Sequence, residues 1–267
     1  MAVRETRLLD ESARCLLAFP GARGPLLAPM AHWFDGRALW MTTASDSVKA
    51  RRLSVNGACA VWLAGDAGAL VARGQARLYS LSDPLRLLLH VGPISGALTA
   101  LAFRNAATLF GYARDAVLVP ARWRPHNRVV LRVALEDVEA MTLPDPGLGL
   151  APGLPTSVPA DVRRAIAGKR RVVVATGTGR PTLAPAVWSA GFSLDGGPHR
   201  TLPEQAPAAV AVDADAEASP LGVRGMVLHG TIRNGRLEPE RATWWRGFHL
   251  ETVDLPAASV PGVVLPD

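Results

Sequence analysis

Cysteine and lysine are both scarce in this 267-residue chain. The two cysteines, Cys15 and Cys59, have no partner at metal or redox spacing, so no disulfide framework is implied and a reducing compartment is the simplest setting. Of 29 basic residues only Lys49 and Lys169 are lysines, so the net charge of +6 comes from arginines spread along the chain. There is no lysine-rich run and no interleaving of aromatic and basic residues of the kind found on RNA-binding sheets, so nucleic acid is not an expected partner. Long apolar runs are also missing: the longest, from Leu85 to Phe103, is interrupted by Arg86, His90 and Gly92-Pro93, which argues against a membrane span. Arg4, Glu5, Arg7, Asp10 and Glu11 leave no room for the apolar core of a signal peptide. A soluble, cytoplasmic protein is expected.

Several chemistries lack their residues. His32, His90, His126, His199, His229 and His249 show no close spacing with cysteines or carboxylates, so no metal site is expected. No Gly-x-Ser-x-Gly and no ordered triad support covalent hydrolysis. Gly177-Thr178-Gly179 precedes no helix and is a turn between strands, not a dinucleotide loop.

What the chain does have is a phosphate-binding pattern. Leu39 to Thr43 forms a strand ending in hydroxyls, and Ser45 to Val55 forms a short helix with Ser45 or Asp46 as N-cap and Lys49, Arg51 and Arg52 in its first turns. Hydroxyls and unpaired N–H groups at a helix start bind anionic oxygens, and nearby cations complete the match.

Around this pattern, residues 4–18 fit an amphipathic helix leading into a strand near Phe19. Strands are expected over Pro25 to Phe34, Arg37 to Thr43, Cys59 to Ala64, Leu70 to Tyr79 and Arg128 to Val133, with helices within 84–113. The Pro- and Gly-rich stretch 143–158 is expected to link residues 1–142 to a second unit, 159–267.

The second unit repeats the first. Pro25-Leu26-Leu27-Ala28-Pro29 recurs 156 positions later as Pro181-Thr182-Leu183-Ala184-Pro185. At that offset Arg14 meets Arg170, Gly21 meets Gly177, Gly74 meets Gly230, and Leu16-Leu17-Ala18 meets Val172-Val173-Val174. Ala58 to Val61 matches Ala208 to Ala211 at a slightly shorter offset. The expected fold is mainly β with flanking helices: two split β-barrels fused in one chain as a pseudo-dimer.

The run from Pro29 through Trp33-Phe34-Asp35-Gly36, Ala38 to Thr43, Ser47 to Leu53 and Ala58 to Leu63 resembles the flavin-binding split-barrel superfamily, which includes the pyridoxamine-phosphate-oxidase-like proteins and the flavin- or deazaflavin-dependent oxidoreductases. The resemblance implies FMN held at its phosphate by Thr43, Ser47, Lys49 and Arg51. Pro29, Met30 and Ala31 would lie beside the ring, and Met41 and Thr42 near its pyrimidine side. Family members are usually homodimers with flavin at the interface. Here the C-terminal half would replace the partner, with Trp245 its expected contact, whereas most tryptophans should be core. In the second half the equivalents of the cradle at the 156-residue offset, His199, Pro203, Gln205 and Pro207, have lost phosphate-binding character, so one flavin site per chain is expected.

The oxidase's own strand arginine near Ala28-Pro29-Met30 and its C-terminal Arg-Leu-His-Asp-Arg run are both missing, so oxidation of pyridoxamine phosphate is not expected. The resemblance implies hydride transfer between flavin and an unknown small molecule. A deazaflavin-dependent reductase is the second reading, and a non-catalytic flavin- or haem-binding module the third. The protein could stand alone as a monomeric pseudo-dimer or form a homo-oligomer.

Overall fold

The computed structural model describes residues 3–12, 14–65, 68–80, 96, 128–196, 202–214, 222–247 and 249–256. The helices expected within 84–113 lie outside the described residues apart from Gly96. Helix α1 (Val3–Glu11) is shorter than the expected 4–18. The chain is already extended in β1 (Arg14–Pro20), whose run Cys15 to Pro20 is buried throughout. The apolar residues of 4–18 satisfy both a helical period and a buried strand, and length alone does not separate the two.

The first sheet continues through β2 (Pro25–Ala31), β3 (Trp33–Phe34), β4 (Ala38–Ala44), β5 (Ala58–Gly65), β6 (Gly68–Ser80) and β7 (Arg128–Met141), with helix α2 (Val48–Val55) between β4 and β5. The expected strand over 25–34 breaks at His32, and the last strand runs well beyond Val133. All pairings are antiparallel, in the order β2-β1-β5-β6-β7-β4-β3. β2 and β4 approach each other without pairing. The sheet therefore curls into a barrel with an open seam.

Residues 142–158 carry no helix or strand. Beyond them, α3 (Ala160–Ile166) precedes β8 (Arg171–Thr176), β9 (Thr182–Ser189), β10 (Ser193–Asp195), β11 (Ala206–Asp213), β12 (Arg224–Arg233), β13 (Arg236–Arg246) and β14 (His249–Asp254). Their order is β10-β9-β8-β11-β12-β13-β14, and β10 also pairs with β13 through Ser193 and Arg236. Six strands thus close on themselves and β14 lies outside the ring. The run β9-β8-β11-β12-β13 repeats β2-β1-β5-β6-β7 of the first sheet, with the edge strands differing, so the mainly β, internally doubled fold is what the structure shows.

Ladder register corrects the repeat in phase. The β-bulges lie between Arg73 and Gly74 in one sheet and between His229 and Gly230 in the other, so the 156-residue offset holds there. A Cβ on Gly74 would come within 2.1 Å of the Ala134 carbonyl oxygen, and one on Gly230 within 1.9 Å of that of Glu238, so both bulges require glycine. Leu17 pairs with Ala28 and Val174 with Ala184. The counterparts of Leu16-Leu17-Ala18 are therefore Val173-Val174-Ala175, that of Arg14 is Arg171, and Cys59-Ala60-Val61 matches Ala208-Ala209-Val210. A one-residue slip reverses every face, and strands built of Ala and Val do not reveal it.

Both faces of these central strands are buried. Leu17, Phe19, Cys59 and Val61 fill the first barrel, and Val172, Val174, Val210 and Leu228 the second. The alternate residues form a third cluster between the halves: Leu16, Ala18, Ala60 and Val71 meet Val173, Ala175, Ala209 and Val227. These are pseudo-equivalent pairs, and their small size brings the two sheets close, as a two-fold interface within one chain requires. Two-sided burial explains the near-continuous apolar sequence of these strands. Both cysteines are free and buried; burial raises the Cys15 thiol above its ordinary range and pushes Cys59 up to about 12. Among the described residues no helix is long and apolar enough to cross a membrane, and no group of three metal-ligating side chains comes together.

Candidate functional site

β4 stays in its ladder through Ala44, paired with Arg128, so the chain needs Ser45 and Asp46 for the turn, and the N-cap of α2 is Ser47, not Ser45 or Asp46. Ser47 Oγ accepts from Ala50 N–H at 3.1 Å, and the Ser47 carbonyl accepts from Arg51 N–H at 3.1 Å. The N–H groups of Val48 and Lys49 are left as first-turn donors without an intrahelical acceptor. Thr43 faces the barrel side of β4 and is buried, with its hydroxyl 3.1 Å from that of Ser47. Those two expected residues come together.

The helix phase then sorts the cations. Lys49, half-buried, and Arg52, exposed, stand three apart on one side of α2 and line a cavity of about 480 Å³, whereas Arg51, exposed too, lies outside its wall. Lys49 Nζ has no hydrogen bond or ion pair among the described residues. Burial, and then the nearby Arg128 guanidinium, hold its ammonium below the usual lysine range. Arg128, at the start of β7, also donates to Thr42 Oγ1 at 2.7 Å, so Thr42 points outward from the barrel. The side chains of Met30 and Met41 lie inside the first barrel, Pro29 is half-buried and Ala31 exposed. The cavity uses residues 25–28 of β2 instead. Trp245 is buried in the apolar seam between the halves, beside Gly225, and not in the cavity wall.

The opposite wall comes from the C-terminal half, chiefly His229, Thr231, Arg241 and Thr243. His229 is 7 % exposed. Its Nε2 lies 3.2 Å from Thr243 Oγ1, and its ring also hydrogen-bonds the backbone of Pro25 on β2. Burial first, and Arg241 second, push the imidazole down to about 4, so it is neutral at pH 7. The Nε of Arg241 is buried with no hydrogen-bond partner among the described residues.

Arg128 and this whole C-terminal wall escape a reading of the local sequence. Arg52 belongs to the sequence pattern, but the structure, not the sequence, sets it on the cavity wall in place of Arg51. His229 and Arg241 are found only by carrying the repeat through the bulge at Gly230.

In the second half the counterpart of β4 is the three-residue β10. Among the described residues no helix lies between β10 and β11, Pro203 and Gln205 lie in or beside a turn, and Pro207 is already in β11 as the counterpart of Ala58, not of Arg51. His199 lies outside the described residues.

An oxyanion fits the α2 end of the cavity, where Lys49, half-buried and without an acceptor among the described residues, lies on the wall with Arg52 and the first turn of α2. The volume is that of a small-molecule site, about 300–1,000 Å³.

No protein-family model and no curated protein matches the sequence. Solved structures do. An FAD-binding protein from Mesorhizobium loti is similar at 19% identity and TM-score 0.37, over 52% of this chain and 91% of that one. An F420 reductase is similar at 20% identity and TM-score 0.35, over 52% and 98%. A protein related to general stress protein 26, of the pyridoxinephosphate oxidase family, from Clostridium acetobutylicum is similar at 14% identity and TM-score 0.34, over 52% and 85%. Each of these likenesses spans about half of this chain.

Proposed function

We propose that the chain is a flavin-dependent oxidoreductase holding one FMN in the cavity between its two barrels and acting on a small molecule. The observation that carries this reading is the convergence of Ser47, Lys49 and Arg52 on one end of a cavity whose other wall belongs to the second half. The Lys49 ammonium, the Arg52 guanidinium and the N–H groups of Val48 and Lys49 hold the phosphate; Ser47 starts the helix that presents them. Phe19, Leu26 and Leu27 supply apolar wall and keep water from the ring. The bound flavin supplies hydride transfer. The deazaflavin coenzyme also carries a phosphate, and the same cluster would receive it.

The absorbance spectrum of the purified protein, with identification of the small molecule released on denaturation, tests the reading. FMN at about one per chain is expected. Lys49→Ala with Arg52→Ala should weaken retention by roughly a hundredfold, since two charge-assisted contacts go, and leave the melting temperature of the ligand-free protein nearly unchanged. Unaltered flavin content in the double variant, or a purified protein that binds neither FMN nor deazaflavin, would sink it.

A further inference from the structure

The doubled fold presents the same three positions twice. Around the bulge of the first sheet, Arg73 faces Asp137 across β6 and β7, with Glu139 two residues on. In the second sheet the equivalent positions are His229, Arg241 and Thr243. In the first trio the arginine is fully paired: Arg73 binds Asp137 at 2.6 Å and Glu139 at 2.9 Å. The residue added by that bulge, Glu136, pairs with Arg180, and Asn56 donates to the Gly179 carbonyl at 2.8 Å. On this side of the pseudo-symmetric seam one ion pair and one hydrogen bond tie the halves together.

The second trio has lost both carboxylates. Arg241 takes the place of Asp137 and Thr243 that of Glu139; Asp254 stands opposite Arg241 across β13 and β14, yet no ion pair holds the guanidinium among the described residues. His229, neutral between Pro25 and Thr243, adds none. Glu240, the one acidic residue of the cavity wall, is exposed and forms no ion pair among the described residues. Arg241 is half-buried and lines the cavity, its Nε shielded from water and without a hydrogen-bond partner among the described residues. With Nε shielded, the two Nη nitrogens are the part of the guanidinium left to meet a ligand in the cavity, and together they match end-on the two oxygens of a carboxylate.

We propose that Arg241 is a carboxylate-recognising residue, and that the small molecule sharing the cavity with the flavin is an organic acid. This deepens, and as a substrate subsite rests on, the flavin reading above. Lys49 and Arg52 serve one anion at the α2 end of the cavity; Arg241 serves another on the opposite wall.

Benzoate and its uncharged analogue benzamide probe the subsite by calorimetric titration of the purified protein. Benzoate should bind saturably and benzamide at least tenfold more weakly. Arg241→Gln should weaken benzoate at least tenfold and leave the flavin per chain at the wild-type level, while Lys49→Ala with Arg52→Ala should shed flavin and keep benzoate affinity within about threefold. Equal binding of benzoate and benzamide by the wild type overturns the proposal without any variant having to fold. So does benzoate affinity unchanged in Arg241→Gln, or lost in the double variant, or an Arg241→Gln protein that loses flavin and keeps benzoate. A colourless wild type that still binds benzoate through Arg241 overturns the flavin reading and keeps the carboxylate site.

Discussion

His229 lies between Thr243 and Pro25, and burial, reinforced by Arg241, pushes its imidazole down to about 4. An unfolded histidine titrates near 6.5, so between those values the unfolded chain takes up a proton that the folded one refuses. Stability from this residue is therefore full above about pH 6.5 and falls as the pH drops towards 4, by a total on the order of 3 kcal/mol. Urea midpoints measured from pH 7.5 to 4 should fall over that window in the wild type, and His229→Gln should flatten part of the fall; parallel curves would refute the assignment. Lys49 was legible in the sequence because lysine is so rare here. Arg241 was not, since Glu-Arg-Ala-Thr carries no motif, and its meaning depends on what stands at Asp137 in the other sheet.

At the scale of elements, the cap and the bulge carry the site. Ser47 fixes where α2 begins, and so which of its cations face the cavity. Ser47→Ala should cost about 1 kcal/mol and weaken flavin retention together, since the first-turn donors lose their anchor. Gly230→Ala should cost more, above about 2 kcal/mol by urea denaturation, because its Cβ meets the Glu238 carbonyl oxygen, and backbone in a sheet yields less than a side chain. A loss below half a kilocalorie would mean that the bulge relaxes freely and does not hold His229 against Arg241. The strands and the hairpin turns were readable from alternation and turn residues. Their phase was not: a slip of one residue between Leu16 and its counterpart leaves the Ala and Val composition unchanged and exchanges barrel core for seam.

For the molecule as a whole, the seam makes the two barrels one structure. It is mostly apolar, with ion pairs such as Arg14 with Asp213, at 3.2 Å and about a quarter exposed on each side, contributing at most about 1 kcal/mol. Repetition in the sequence announced the doubling, but not that each sheet would bury its second face on the other, which depends on small residues arriving opposite one another from distant strands. Trp245 tests this. It was expected beside the ligand, and it instead fills the seam against Gly225, where a Cβ would come within 2.1 Å of its indole. Trp245→Ala should leave a void between the halves and cost about 3–5 kcal/mol. Because the void lies in the shared core, calorimetry should show a single transition at lower temperature, with flavin affinity reduced through the altered spacing of the cavity walls. If the variant instead melts in two steps while binding flavin as before, the halves are independent folding units and the cavity does not depend on the seam that joins them.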